Sequence, residues 1–194
     1  MRTSQALICA LGLLASPYFF AYLEAPQLLG WPDFMNRSLA PWLALAAFIA
    51  VADQSSKHAI GASLRPGEVR EVTGFFNLVL AYNRGAAFSF LSDAGGWQRV
   101  LFIVIAAVAV AVIVALLARH PGERLLCAGL ALILGGALGN VWDRVALGHV
   151  LDFLDFHALG WHFWAFNVAD SAITVGAGLL ILDGLRSAAT GQRP

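Results

Sequence analysis

Charge is the scarcest thing in this sequence: only 12% of the 194 residues are Asp, Glu, Lys or Arg, against 59% hydrophobic. A water-soluble domain of this size needs about twice that charged fraction, so the natural solvent of the chain is a bilayer. Twelve basic and twelve acidic side chains cancel to zero, and no basic cluster stands out. Nucleic-acid binding is therefore excluded as an expectation. Cysteine is nearly absent too. Cys9 and Cys127 both lie inside apolar runs, where they read as small packing residues rather than as a disulfide or a metal site.

What is plentiful is apolar sequence in long blocks. A helix needs about 20 mostly apolar residues to cross the hydrocarbon core. Four stretches approach this, at about Leu39–Leu64, Val100–Ala118, Leu125–Trp142 and Ala165–Leu182. Val100–Ala118 carries no charge, whereas the first is interrupted by Asp53, Ser56 and Lys57. The fold class expected is an all-α polytopic membrane protein with four transmembrane helices and a small β-layer on the membrane surface. The layer is placed at about residues 65–96, where Val69, Val72, Phe75, Phe76, Leu78, Val79 and Leu80 suggest short strands. Residues 39–187 form the expected membrane domain and 188–194 a cytoplasmic tail. Residues 1–38 are an extension whose apolar part, Ala6–Leu23, reads as an extra N-terminal hydrophobic helix, with a cleavable leader as the alternative.

Short basic segments at Arg119–Arg124 and at Arg186 and Arg193 place those ends in the cytoplasm, which puts the loops around Asn83 and Asp152 on the periplasmic side. Trp97, Trp161, Phe163 and Trp164 are expected at span edges, at headgroup level.

Charged and amide side chains at membrane depth cost about 2.5–3.5 kcal/mol per charge, so each needs a partner or a function. They come here at helical spacing: Asn167, Asp170, Ser171 and Thr174; Asn140, Asp143 and Arg144; Asp53, Ser56 and Lys57. Each set falls on one helix face, and the three faces are expected to meet inside a bundle. Asp53 with Lys57, and Asp143 with Arg144, read as structural ion pairs. Gly135 and Gly139 read as a close-packing seam. Asp152 and Asp170 lie at the same membrane edge. Two carboxyls converging in a desolvated pocket divide into a protonated acid and an ionised base, which suits water activation. The competing reading makes one a helix cap and the other an arginine partner. A metal site among Asp155, His149, His157 and His162 matches no compact zinc pattern.

The blocks Val51–Lys57, Tyr82–Ser89, Gly135–Arg144 with Val150–Phe153, and Phe166–Ala172 resemble the signature blocks of the lipoprotein signal peptidase (signal peptidase II) family, in the family's order. The resemblance covers about Pro41–Arg186 and implies an aspartic endopeptidase of the bacterial inner membrane, built of four transmembrane helices with a small periplasmic β-cradle. Such an enzyme removes signal peptides from prolipoproteins by cutting before the diacylglyceryl cysteine of a lipobox. It implies Asp152 and Asp170 as the catalytic pair, with Asn83, Gly85, Asn140, Arg144 and Asn167 in support. Asp53, Lys57 and Asp143 are expected to orient or bind substrate or to hold structure. The partners implied are prolipoproteins, membrane lipids and globomycin-type inhibitors, and no metal or organic cofactor. A monomer is expected.

Overall fold

The structure is a computed structural model that describes residues 39–85 and 97–191. Its elements run α1 (Ala40–Ser63), β1 (Val69–Thr73), β2 (Phe76–Asn83), α2 (Trp97–Arg119), α3 (Arg124–Ala146), β3 (Val150–Ala158), β4 (Trp161–His162) and α4 (Val168–Thr190). The extension 1–38, and the part of the second block from Ala86 to Ser89, lie outside the described residues.

Three helices, α2, α3 and α4, are long and apolar enough to cross a membrane by length and composition. α1 is as long, at 24 residues, but carries the polar run Asp53–His58 at mid-length. The helix surfaces remain apolar where nothing covers them: Phe48 is 66% and Val108 60% exposed. In water that would be a liability, whereas in lipid it is the expected outer surface.

α3 is the hub, touching α1, α2 and α4. Against α2 it packs Leu126, Cys127, Leu130 and Leu134 on Ile113, Leu116 and Leu117. Against α1 and α4 it uses glycine, since lipid supplies no hydrophobic drive for helix association and close backbone approach must do so. A methyl group built on Gly135 would sit 2.5 Å from the Ala46 carbonyl oxygen of α1, and one on Gly136 would overlap the Ala169 carbonyl of α4. Cys127 is fully buried, its Sγ 3.0 Å from the His120 carbonyl, as befits a packing residue.

At one end of the bundle the four strands form one antiparallel ladder in the order β1-β2-β3-β4. This corrects the expected boundaries of the β-layer: half of it comes from Val150–His162, and Asp152 sits in a strand rather than a loop. β3 hides from a period-two search because five of its first six residues are buried on both faces. Leu64, Leu80, Leu151 and Phe153 seal the sheet against the helix ends. Trp161 likewise lies in a hairpin rather than at a span edge. α4 begins at Val168, three residues later than expected, and runs to Thr190, into the segment assigned to the tail.

Candidate active site

The start of α4 sets the geometry. Asn167 is its N-cap, and the Asp170 amide donates to Asn167 Oδ1 at 2.9 Å while the Asn167 amide donates to Asp170 Oδ2 at 3.3 Å. This reciprocal cap fixes the Asp170 carboxyl at the bundle end, facing the sheet. The second oxygen, Oδ1, accepts from Asn140 Nδ2 of α3 at 2.8 Å.

Asp152 comes from β3 and is 4% exposed. Asn167 Nδ2 donates to its Oδ1 at 2.7 Å, and Asn83 Nδ2, at the end of β2, donates to its Oδ2 at 3.0 Å. Asn167 thus serves both carboxyls at once, its backbone amide on Asp170 Oδ2 and its side-chain nitrogen on Asp152 Oδ1. Burial, and then the neighbouring Asp170 charge, push the Asp152 carboxyl up from the usual carboxylate range to about 7.

Behind the pair lies a buried ionic cluster. Lys57 Nζ contacts Asp53 Oδ2 and Asp143 Oδ2, each at 2.7 Å, and donates to Asn140 Oδ1 at 3.1 Å. Asp53 Oδ1 accepts the Ala169 amide in the first turn of α4 at 2.8 Å. One lysine therefore ties α1, α3 and, through Asp53, α4 into a single frame, and it orients the asparagine that bonds Asp170. Gln54 completes the cluster. Its Nε2 donates to Asp143 Oδ1 at 2.8 Å and to the Gly139 carbonyl at 3.1 Å. Gln54 lies within the block Val51–Lys57 but was given no part there; its place in the polar run Asp53–His58 of an otherwise apolar helix was the available signal.

Two expectations are corrected. Asp143 and Arg144 do not pair: neighbours in a helix point about 100° apart. Asp143 turns inward to Lys57 and also accepts the Leu151 amide at 3.4 Å. Arg144 instead donates to the carbonyls of Gly85, at 3.0 Å, and Asn140, at 3.2 Å, and lies over the Phe102 ring. Gly85 in turn donates its amide to Asn83 Oδ1 at 2.9 Å, so Arg144 and Asn83 together hold the chain leaving β2 beside Asp152. Thr174 is exposed and bonds only its own helix, accepted by the Asp170 carbonyl, so the polar face of α4 ends at Ser171.

The histidines lie apart from the carboxyl pair. His149 rests on the Tyr82 ring, and burial followed by Arg84 pushes it down from its ordinary value. His162 Nδ1 meets Asp155 Oδ2 at 2.9 Å and stacks on His157. Among the described residues no three metal-binding side chains converge.

Fold and site together define a class: a small polytopic membrane protein with a desolvated carboxyl pair where its helices meet a β-sheet. The chain belongs to the signal peptidase II family, whose model, described as Signal peptidase (SPase) II, matches residues 45–186. It is 61% identical over 151 residues to the lipoprotein signal peptidase of Paraburkholderia phytofirmans, covering 78% of this chain and 88% of that protein. To the enzyme of that name from Ralstonia nicotianae it is 60% identical, covering 78% and 87%. Among solved structures it is similar to a bacterial membrane enzyme determined by the in meso method at 2.3 Å resolution. There the TM-score is 0.71 at 30% identity, covering 78% of this chain and 91% of that one.

Proposed function

We propose that the chain is an aspartic endopeptidase in which Asp152 and Asp170 act together on one water. As a family member it removes signal peptides from prolipoproteins. The observation that carries the aspartic reading is the arrangement of the pair: one asparagine, Asn167, donates its side-chain nitrogen to the buried Asp152 carboxyl and its backbone amide to the partly buried Asp170 carboxyl.

The ionised member of the pair takes a proton from water as the water oxygen bonds to the scissile carbonyl carbon, while the protonated member gives its proton to the carbonyl oxygen. The gem-diol then collapses: the C–N bond breaks, the carboxyl that took the water's proton passes it to the leaving nitrogen, and the other recovers a proton from the diol hydroxyl. Charge is balanced at each step and no covalent enzyme intermediate forms. Asn83, Asn140 and Asn167 hold the two carboxyls, Lys57 holds Asn140, and Arg144 holds Gly85.

The cut falls before the diacylglyceryl cysteine, with the lipid left in the bilayer beside the helices. The enzyme works as a monomer in the inner membrane, with the sheet on the periplasmic side and α1 as the fourth span. Globomycin-type inhibitors would occupy the space between Asp152 and Asp170. Incubation with a diacylglyceryl lipobox peptide tests this reading. Mass spectrometry is expected to find the cut before the cysteine, at a rate unchanged by EDTA. Loss of the rate in EDTA and its return with zinc would overturn the aspartic mechanism.

A further inference from the structure

The β3–β4 hairpin is amphipathic across its two faces. In antiparallel pairing, opposed residues share a face and alternate along each strand. His157 opposes His162 and Ala158 opposes Trp161, while across β2 Asn77 opposes Asp155 and Phe76 opposes Phe156. One face therefore carries Asn77, Asp155, His157 and His162, joined by the bonds of Asn77 Nδ2 and His162 Nδ1 to Asp155 Oδ2 at 2.9 Å each. The other face carries Leu154, Phe156, Ala158 and Trp161, and it is also the face of Asp152. Its aromatics run on without a break: Phe156 lies 4.8 Å from Phe76 and 5.9 Å from Phe166, and Phe166 lies 5.8 Å from Phe163.

The tip is unusually bare. Leu159 is fully exposed and holds a left-handed φ of 51°, which a side chain adopts at a cost. Trp161 is 84% exposed, and Phe163 and Trp164 are more than half exposed. From Phe156 to Phe166 there is no Asp, Glu, Lys or Arg. An apolar surface of this kind needs a cover. Three residues after Trp164 the chain reaches the cap of α4, whose own outer surface is apolar (Val175, Ile181 and Leu185 are half or more exposed). The bare tip is thus continuous with the lipid-facing belt, and tryptophan on a polar-backed apolar face suits the headgroup level.

We propose that the β3–β4 hairpin is an interfacial foot: Leu159, Trp161 and Phe163 lie in the headgroup–acyl boundary of the leaflet on the sheet side, with the Asp155–His162 face toward water. Asp152, in β3 and seven residues before Leu159 of the turn that follows the strand, is thereby held at a fixed depth relative to the lipid surface. The inference rests on the reading of α2, α3 and α4 as membrane spans and not on the dyad, so failure of the dyad leaves it standing.

Nitroxide accessibility in reconstituted full-length protein tests it. Cysteine is placed singly at Leu159, at Phe163, at Val108 on the exposed face of α2 as a hydrocarbon reference, and at Gly122 in the α2–α3 turn as an aqueous one, with Cys9 and Cys127 replaced by Ala. The vesicles are phosphatidylethanolamine and phosphatidylglycerol. Leu159 and Phe163 are expected to favour oxygen over a water-soluble nickel chelate, between the two references. Values at both positions equal to Gly122 would overturn the proposal. So would low accessibility to both relaxants, which would mean that a second copy or another polypeptide covers the hairpin. A functional arm uses Leu159→Asp with Trp161→Asp: KM for lipidated substrate in vesicles is expected to rise about tenfold or more, the scale of losing one buried apolar side chain, with kcat nearly unchanged. An unchanged KM would contradict the foot's positioning role.

Discussion

Gly139 is where the ionic cluster and the helix packing meet, and replacing it with alanine tests both. A methyl group there would lie 2.5 Å from Asp53 Oδ2 and 3.1 Å from Asp53 Cγ. Ordinary contact begins near 3.4 Å, so Asp53 must retreat by about an ångström. It has nowhere to go: the side chain is fully buried, with one oxygen on Lys57 Nζ at 2.7 Å and the other on the Ala169 amide at 2.8 Å. Displacing one member of a buried ion pair costs about 3–5 kcal/mol, and the better helix propensity of alanine returns about 1 kcal/mol, leaving a net loss of about 2–4 kcal/mol. The comparison is Gly184→Ala in α4, where nothing lies within 4 Å of the new methyl. That variant is expected to be neutral or slightly stabilised. Equilibrium unfolding in mixed micelles, read alongside cleavage of a lipidated peptide, separates the two. Equal unfolding midpoints for both variants, with full activity in Gly139→Ala, would refute the claim that Asp53 seals α1 against α3.

Three further outcomes are expected. Lys57→Met leaves Asp53 and Asp143 buried without their cation and should cost about 3–5 kcal/mol in the same unfolding assay; a smaller loss than that of Gly139→Ala would show the lysine is not the centre of the cluster. The Asp152 carboxyl ionises near pH 4 when unfolded but only at about 7 when folded, so the folded state holds the extra proton between those values and loses stability as pH rises through that window. Asp152→Asn should therefore gain stability relative to the parent from about pH 4 to about 7 and level off above; a difference independent of pH would contradict the assignment. As for sidedness, cysteine at exposed Glu71 in β1 should react with an impermeant thiol reagent from the periplasm while one at Gly122 does not, and the reverse pattern would put the site on the wrong face for its substrate.

α2, α3 and α4 were legible as helices long and apolar enough to cross a membrane because their signal is local. α2 has no charge between Val100 and Ala118, and a run of that kind has one reading. The polar residues of α1, α3 and α4 were legible as a meeting of faces for the same reason, since spacing of three and four reports direction on a helix. What spacing does not report is the partner. Lys57 lies one turn from Asp53 and 86 positions from Asp143, and it contacts both at the same distance. β3 was illegible because its ladder partner, β2, lies some seventy residues upstream, and burial on both faces erases alternation. The family resemblance named Asn83 and Asn167 as supports, but only the folded chain shows that they converge on the two oxygens of Asp152.

The central claim is that Asp152 and Asp170 act as one acid-base pair. Asn in place of either keeps size and shape but cannot exchange a proton at neutral pH, so single-turnover cleavage of a diacylglyceryl lipobox peptide by each variant tests the claim directly. Both Asp152→Asn and Asp170→Asn should remain folded and lose about 100-fold or more in rate. A folded variant of either that keeps more than about a tenth of the parent rate would contradict the pairing.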